Sequence, residues 1–129
     1  MTKPLAAIYD AGVLIAADRS ERETWAEHRV RLSAGIIPLI PANVIAQVSR
    51  SNRQVQLRRF LRGCEVVPFD EASAHRAGAL LAKSGTTDVV DASVVELATT
   101  TRGEIVTMDP HDIERLVSAS AKRIRISAR

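Results

Sequence analysis

The sequence predicts an α/β fold, a three-layer α/β/α domain with a central, mainly parallel sheet of four to five strands. Three observations predict it. Short apolar runs alternate with helical segments along the chain, which is typical of parallel strands joined by right-handed helical crossovers. The length of 129 residues suits a single domain over residues 1–129. A content of 46% hydrophobic and 26% charged residues is that of a globular protein and excludes intrinsic disorder.

Five short apolar runs predict the strands. The first and fourth each stop at an aspartate, Asp10 and Asp109, and the second stops at Pro41. The last run alternates arginine with isoleucine, as an edge strand does. The predicted strands cover residues 5–9, 36–40, 65–69, 105–108 and 123–126.

Helical spacing of apolar residues predicts the segments between the strands. Glycines follow several of them and end the helices, and prolines stand where a first helical turn accepts them. In the segment 50–62 we expect Val55, Leu57, Phe60 and Leu61 to point inward. The predicted helices cover residues 12–17, 21–34, 42–49, 50–62, 70–83, 87–101 and 110–119.

Composition excludes several classes of protein. No run reaches the roughly 18 apolar residues of a membrane span, and residues 1–10 lack the features of a secretion signal, so we expect a cytoplasmic protein with no membrane partner. Cys64 is the only cysteine, which excludes an internal disulfide and a cysteine-based zinc site. Four aromatic residues are too few for a surface that stacks nucleic-acid bases.

Positive charge is concentrated in one stretch. Between residues 50 and 62 there are five arginines and no acid: Arg50, Arg53, Arg58, Arg59 and Arg62. Guanidinium groups bind phosphates and carboxylates well, so Arg50, Arg53, Arg58 and Arg59 are candidate contacts for RNA or for an acidic protein partner. A plain solvated helix face explains the stretch equally well.

Four aspartates are placed to meet at one edge of the predicted sheet. Asp10 and Asp109 each follow a strand, and ligands of parallel sheets bind beyond the carboxyl ends of the strands. Asp88 and Asp91, three residues apart, share one face of a helix. Carboxylates gathered in this way repel one another unless a cation neutralises them, and oxygen-only ligands favour Mg²⁺ or Mn²⁺. Such an ion activates water for attack on a phosphodiester, which indicates a nuclease.

Helix capping is the competing interpretation of the same residues. An aspartate at the start of a helix accepts backbone N–H bonds and suits the helix dipole. Asp10, Asp109 and Asp88 could each be a cap, and Asp91 the third residue of a helix.

Four motifs in this order resemble the PIN-domain ribonucleases, and within them the VapC toxins of toxin–antitoxin pairs. They are IYDAG at 8–12, PANVIAQV at 41–48, GTTDVVDA at 85–92 and IVTMDP at 105–110. The resemblance covers nearly the whole chain. It implies a PIN-like fold, an Mg²⁺- or Mn²⁺-dependent endoribonuclease, a homodimer, an RNA substrate and a small antitoxin that inhibits the enzyme.

The resemblance also implies the site residues. Asp10, Asp91 and Asp109 match three catalytic acids that hold the ion, with Asp88 as a further ligand. Gln47 stands where the family usually has glutamate, which keeps an oxygen ligand and loses a charge. Asp88 or Asp112 could restore that charge. Independently of the resemblance, Thr107, just before Asp109, could hydrogen-bond a ligand carboxylate or simply satisfy its own strand.

Two other functions stay open. A PIN-like module could have lost catalysis through Gln47 and act by binding RNA or a protein. A phosphate-accepting receiver has a similar length and alternation, but it needs an acidic pair after the first strand, where Asp10 stands alone. The histidines, His28, His75 and His111, have no metal-ligand spacing and are expected at the surface, while Trp25 and Cys64 are expected to be packed.

Overall fold

The structure is a computed structural model, and it describes residues 6–128. Strands and helices alternate as the sequence predicts. The strands are β1 (Ala6–Tyr9), β2 (Ile37–Pro41), β3 (Glu65–Val67), β4 (Glu104–Thr107) and β5 (Ile126–Ala128). The helices are α1 (Ala11–Asp18), α2 (Arg22–Ser33), α3 (Ala42–Val48), α4 (Val55–Leu61), α5 (Glu71–Ser84), α6 (Val89–Thr101) and α7 (Pro110–Ser120). The first residue of the predicted strand 5–9 lies outside the described residues.

The five strands form one parallel sheet in the order β3-β2-β1-β4-β5. The helices α1, α2 and α4 pack together, and α5, α6 and α7 form a second group whose member α6 lies against β1, β2 and β4. This is the predicted three-layer α/β/α architecture. The chain moves from β1 outward to β3 and then returns to β4 on the other side of β1, so the sheet order reverses between β1 and β4. Crevices for ligands form at such reversals.

The core lies on both faces of the central strands. Ile8 and Tyr9 of β1, Ile105 of β4 and Val94 and Val95 of α6 are all fully buried. Burying side chains of this size stabilises the fold by roughly 1.5–3 kcal/mol each. The strand ends beside them are therefore held in place by the best-packed part of the molecule.

The predicted helix over 50–62 is wrong at its start. Only Val55–Leu61 is helical, because the side chain of Gln54 binds the chain before it in another conformation. Gln54 Oε1 accepts the N–H groups of Arg50 (2.7 Å) and Ser51 (3.0 Å). The inward position expected for Val55 is also wrong, since 54% of it is exposed, whereas Leu57 and Phe60 are buried as predicted.

The last strand also differs from its prediction. It covers Ile126–Ala128 rather than 123–126, and it pairs with β4 in the register Ile105 to Ile126. Its position at the edge of the sheet is as predicted. Within residues 6–128, no helix is long and apolar enough to cross a membrane.

Candidate active site

Asp10 and Thr107 join the carboxyl ends of β1 and β4. The Thr107 hydroxyl donates a short hydrogen bond to Asp10 Oδ2, and the Met108 N–H donates to the same oxygen at 3.2 Å. Asp10 Oδ1 accepts the N–H of Val13 at 3.1 Å and so caps α1. Only 6% of Asp10 is exposed. Its carboxylate is therefore fixed in one orientation by three donors.

Burial raises the pKa of Asp10 above its ordinary value, and the hydrogen bonds from Thr107, Val13 and Met108 oppose that rise. The Thr107 hydroxyl also accepts the N–H of Asp109 at 2.9 Å. One threonine thus binds the carboxylate of Asp10 and the backbone N–H of Asp109, and its bond to Asp10 is one of the two roles that the sequence left open for this side chain.

The charges of the other four acids all act on the carboxyl group of Asp91. It lies in the first turn of α6, and Asp88 caps this helix through Oδ1, which accepts the N–H of Asp91 at 3.0 Å. Burial raises the pKa of Asp91 to about 7, with further contributions from the charges of Asp88, Asp10, Asp112 and Asp109 in that order. Four other acids therefore lie within electrostatic reach of Asp91.

Asp109 and Asp112 interact directly at the start of α7. Asp109 occupies the N-cap position, but its side chain makes no capping hydrogen bond. Instead, a hydrogen bond with Asp109 and the charge of Asp109 raise the pKa of Asp112 above its ordinary value. Two carboxyl groups that share a hydrogen bond need a proton or a cation between them.

These carboxyl groups are close together but are not drawn onto a single point. Within residues 6–128, no three His, Cys, Asp or Glu side chains are already arranged to hold a metal ion. Burial is the main cause of the raised pKa of Asp91 and the neighbouring charges add to it, while the hydrogen bond with Asp109 is the main cause of the raised pKa of Asp112. The donor set, carboxylates with a nearby hydroxyl, fits a hard divalent cation such as Mg²⁺ or Mn²⁺.

Gln47 is exposed near the end of the short helix α3, which begins where β2 ends. Its amide is neutral and leaves the pKa of Asp91 to be set by burial and the four other acids. Two residues near the site were missed in the sequence. Met108 contributes through its backbone N–H, which no sequence pattern marks. Asn43 stands four residues before Gln47, and that spacing could have drawn attention to it.

The arginines between 50 and 62 are all exposed, and the side chains of two of them make contacts within the chain. The guanidinium of Arg50 donates to the carbonyl oxygens of Ala46 (3.2 Å) and Ser49 (2.9 Å) at the end of α3. Arg53 and Arg58 are exposed. Arg59 lies over the ring of Trp25, 5.9 Å from its centre. Arg59 and Trp25 line a shallow cavity of about 270 Å³ with Ser20, Arg22, Arg29 and Gln56.

The surface position expected for His28 is wrong. Only 3% of this residue is exposed, and its Nδ1 lies 2.9 Å from the hydroxyl of Tyr9. Burial lowers the pKa of His28 to about 4, so the ring is neutral and belongs to the core. His75 and His111 are exposed as predicted. Trp25 is packed as predicted, and its Nε1–H donates to the carbonyl oxygen of Ala17 at 3.0 Å.

The family model of the PIN domain matches residues 7–117. The chain belongs to the PIN domain family. This match includes every acid of the candidate site, and it confirms the resemblance seen in the motifs. No curated protein matches the chain at a comparable level.

Several solved structures share this fold. The PIN domain is similar to a chain of VapBC2 from Rickettsia felis, solved with a DNA fragment from its promoter (TM-score 0.73, 16% identity, covering 96% of this chain and 98% of that one). It is also similar to a chain of a toxin–antitoxin complex from Klebsiella pneumoniae, with a TM-score of 0.64 and 21% identity over 82% of this chain and 88% of that one. A third similar structure is FitAcB from Neisseria gonorrhoeae, with a TM-score of 0.62 and 13% identity over 94% of this chain and 96% of that one. At these identities, the likeness is one of fold.

Proposed function

We propose that this PIN domain is a divalent-metal-dependent endoribonuclease and the toxin of a toxin–antitoxin pair. One observation carries the proposal. At the reversal of the sheet, Thr107 hydrogen-bonds both the carboxylate of Asp10 and the backbone N–H of Asp109. Beside them, burial and the charges of Asp10, Asp109 and two further acids raise the pKa of Asp91 to about 7. A group of carboxyl groups at this position opposes folding when no cation is bound, so a binding function accounts for its presence.

In the proposed mechanism Asp10, Asp91 and Asp109 hold Mg²⁺ or Mn²⁺, with Asp88 and Asp112 as additional acceptors. The ion supplies an activated water and neutralises charge on the phosphodiester. Thr107 and the Met108 N–H fix the orientation of the Asp10 carboxylate before substrate arrives. Because Asp10 is buried and Asp109 is exposed, the RNA backbone approaches from the side of Asp109.

The proposed partners are an RNA substrate, a small antitoxin protein and a second copy of this chain. A solved structure of similar fold supports the antitoxin, since it is described as a toxin–antitoxin complex. Arg53, Arg58 and Arg59 remain candidate contacts for RNA or the antitoxin, whereas the guanidinium of Arg50 already binds α3. We further propose that residues 1–129 act as a single domain in the cytoplasm, where RNA is present.

Purified protein incubated with defined RNAs and Mg²⁺ or Mn²⁺ tests the enzymatic part. We expect cleavage that EDTA abolishes and that Asp109→Asn lowers by at least about a hundredfold. Asp70→Asn is the matched control, because Asp70 caps α5 through Oδ1 (2.8 Å to the N–H of Ser73) and is not among the charges that raise the pKa of Asp91. Cleavage that persists in EDTA, or in the Asp109 variant, contradicts the proposal.

A growth experiment tests the biological part. Induction of this chain alone should arrest growth, and co-expression of the protein encoded immediately upstream should relieve the arrest. Arrest that is equally strong with Asp109→Asn would show that toxicity does not come from the carboxylate site.

The second candidate function is a PIN domain that binds RNA or a protein without cutting. The neutral, exposed amide of Gln47 favours it, because it leaves the site without a carboxylate on α3. Gln47→Glu separates the two functions. If the wild type is a weakened enzyme, the variant gains activity and its stabilisation by Mn²⁺ increases. A wild type that binds RNA but shows neither cleavage nor any response to Mn²⁺ fits the binding module.

A further inference from the structure

Asn43 is partly buried, and within residues 6–128 it is the one residue whose buried side-chain polar atoms lack a partner. Both atoms of its amide are buried, and neither makes a hydrogen bond within that part of the chain. Other buried polar groups do have partners: Asp10 binds Thr107, His28 binds Tyr9, and Glu96 binds Arg76. A buried amide without a partner lowers stability, so its presence calls for an explanation.

Asn43 lies at the edge of the sheet where the strands before the carboxylates end. Helix α3 begins directly after β2, and β2 pairs with β1 in a register that sets Ile8 beside Leu39. Continuing that register by two residues sets Pro41 level with Asp10. Helix α3 packs against α1, which Asp10 caps, and against α6, which carries Asp91. The helix that carries Asn43 therefore packs against both the helix that Asp10 caps and the helix whose first turn contains Asp91.

The helix also relates Asn43 to Gln47. Residues four apart share one helix face, so the buried amide of Asn43 and the exposed amide of Gln47 follow each other along α3. Nothing local favours asparagine in this place. Its side chain does not cap α3, whose N-cap position is occupied by Pro41, and asparagine is a poor helix former.

We propose that Asn43 is a positioning residue for the divalent cation, holding a water of its hydration shell through Oδ1. Water bound to a cation donates both hydrogens outward, and an amide oxygen is a suitable acceptor. Groups that act through such a water alter metal affinity by about 10- to 100-fold. This inference rests on the proposed metal-dependent function, and it adds a residue to which neither the motifs nor the spacing of the acids assigned a role.

Isothermal titration calorimetry with Mn²⁺, together with thermal unfolding of the same samples, tests the inference. Asn43→Leu removes the acceptor and keeps the volume. We expect its Mn²⁺ affinity to fall at least about tenfold, while its melting temperature without metal stays the same or rises, because a buried amide without a partner has been removed. If Asn43 had a purely structural role, its replacement would lower the melting temperature without metal and leave the Mn²⁺ affinity unchanged. Asn43→Ala provides the same test should the leucine variant not fold.

Asn43→Asp gives the complementary test. A carboxylate at this position should increase Mn²⁺ affinity at least about tenfold and lower the melting temperature without metal, because it joins a group of like charges. Asn52→Asp and Asn52→Leu are matched controls, since Asn52 is exposed in the turn before α4. Neither should change the response to Mn²⁺.

The outcomes separate the inference from the proposed function. If the wild type binds Mn²⁺ and the Asn43 variants bind it equally well, the inference is wrong and the metal site stands. If the wild type neither binds Mn²⁺ nor is stabilised by it, the proposed metal-dependent function is wrong, and the inference falls with it.

Discussion

Asp91→Asn should make the metal-free protein more stable at neutral pH. Burial and four neighbouring acids raise the pKa of Asp91 from 3.8 to about 7. The folded state therefore binds a proton more tightly than the unfolded state. A group of this kind is harmless below its ordinary pKa, and it lowers stability increasingly as the pH rises from about 4 to about 7. Asparagine at this position carries no charge and avoids the effect.

The magnitude follows from the pKa. A change from 3.8 to about 7 corresponds to at most about 4 kcal/mol, at roughly 1.4 kcal/mol per pH unit. Asp91 is only partly buried, so solvent screening reduces this to about 1–2 kcal/mol. Asparagine also loses about 0.5 kcal/mol of favourable interaction with the N-terminus of α6. The expected net gain is about 1 kcal/mol at pH 7.5, and less than about half of that at pH 5.

Urea unfolding in EDTA at both pH values measures the effect. Asp70→Asn is the control, because Asp70 has a lowered pKa and asparagine caps a helix equally well, so no gain is expected. Addition of Mn²⁺ should reverse the order of Asp91→Asn and wild type, since only the wild type keeps the full ligand set. If the variant is no more stable at pH 7.5, or gains equally at both pH values, the carboxylates do not crowd one another.

Three further substitutions have expected outcomes. Thr107→Val removes the hydrogen-bond donor to Asp10, so it should lower the free energy of unfolding by about 1–3 kcal/mol and weaken Mn²⁺ binding. Thr107→Ser keeps the donor and should preserve both the stability and the Mn²⁺ affinity, as measured by urea unfolding and calorimetry. Glu96 is 3% exposed and accepts a hydrogen bond from Arg76 Nε at 2.8 Å. Arg76→Met leaves this carboxylate without its cation and should lower the free energy of unfolding by about 3–5 kcal/mol. Adding Glu96→Leu should recover much of that loss. Gly103→Ala places a methyl group against the side chain of Ile8 in β1 and should lower the free energy of unfolding by about 1–3 kcal/mol.

The meeting of Asp10 and Asp109 could be predicted from the sequence, because it follows from topology alone. Any parallel sheet brings the carboxyl ends of its strands to one edge, so two acids that each end a strand become neighbours across 99 positions of sequence. The start of α4 could not be predicted in this way. It depends on Gln54, whose side chain binds two backbone N–H groups, and apolar spacing carries no information about such bonds.

The burial of His28 was hidden for a similar reason. Its partner Tyr9 is 19 residues away on β1, and the pair exists only once α2 has packed on the sheet. The shift of the last strand from 123–126 to Ile126–Ala128 reflects a pattern of alternation too short to fix its ends. A local side-chain hydrogen bond set the start of α4, and a partner 19 residues away buried His28, whereas the order of the elements follows from apolar patterning and could be predicted.

Capping and metal binding are compatible roles for the same aspartates. Asp10 caps α1 with Oδ1 alone, and a carboxylate has further lone pairs to offer a cation. Capping therefore holds the ligand in place. Comparison of Asp10→Asn with Asp10→Ala separates the two roles. Asparagine keeps the capping oxygen, so the metal-free Asn variant should be about 1 kcal/mol more stable than the Ala variant in urea unfolding. Neither should be stabilised by Mn²⁺, because both lose the charge. If Asp10→Asn responds to Mn²⁺ as the wild type does, Asp10 is only a cap.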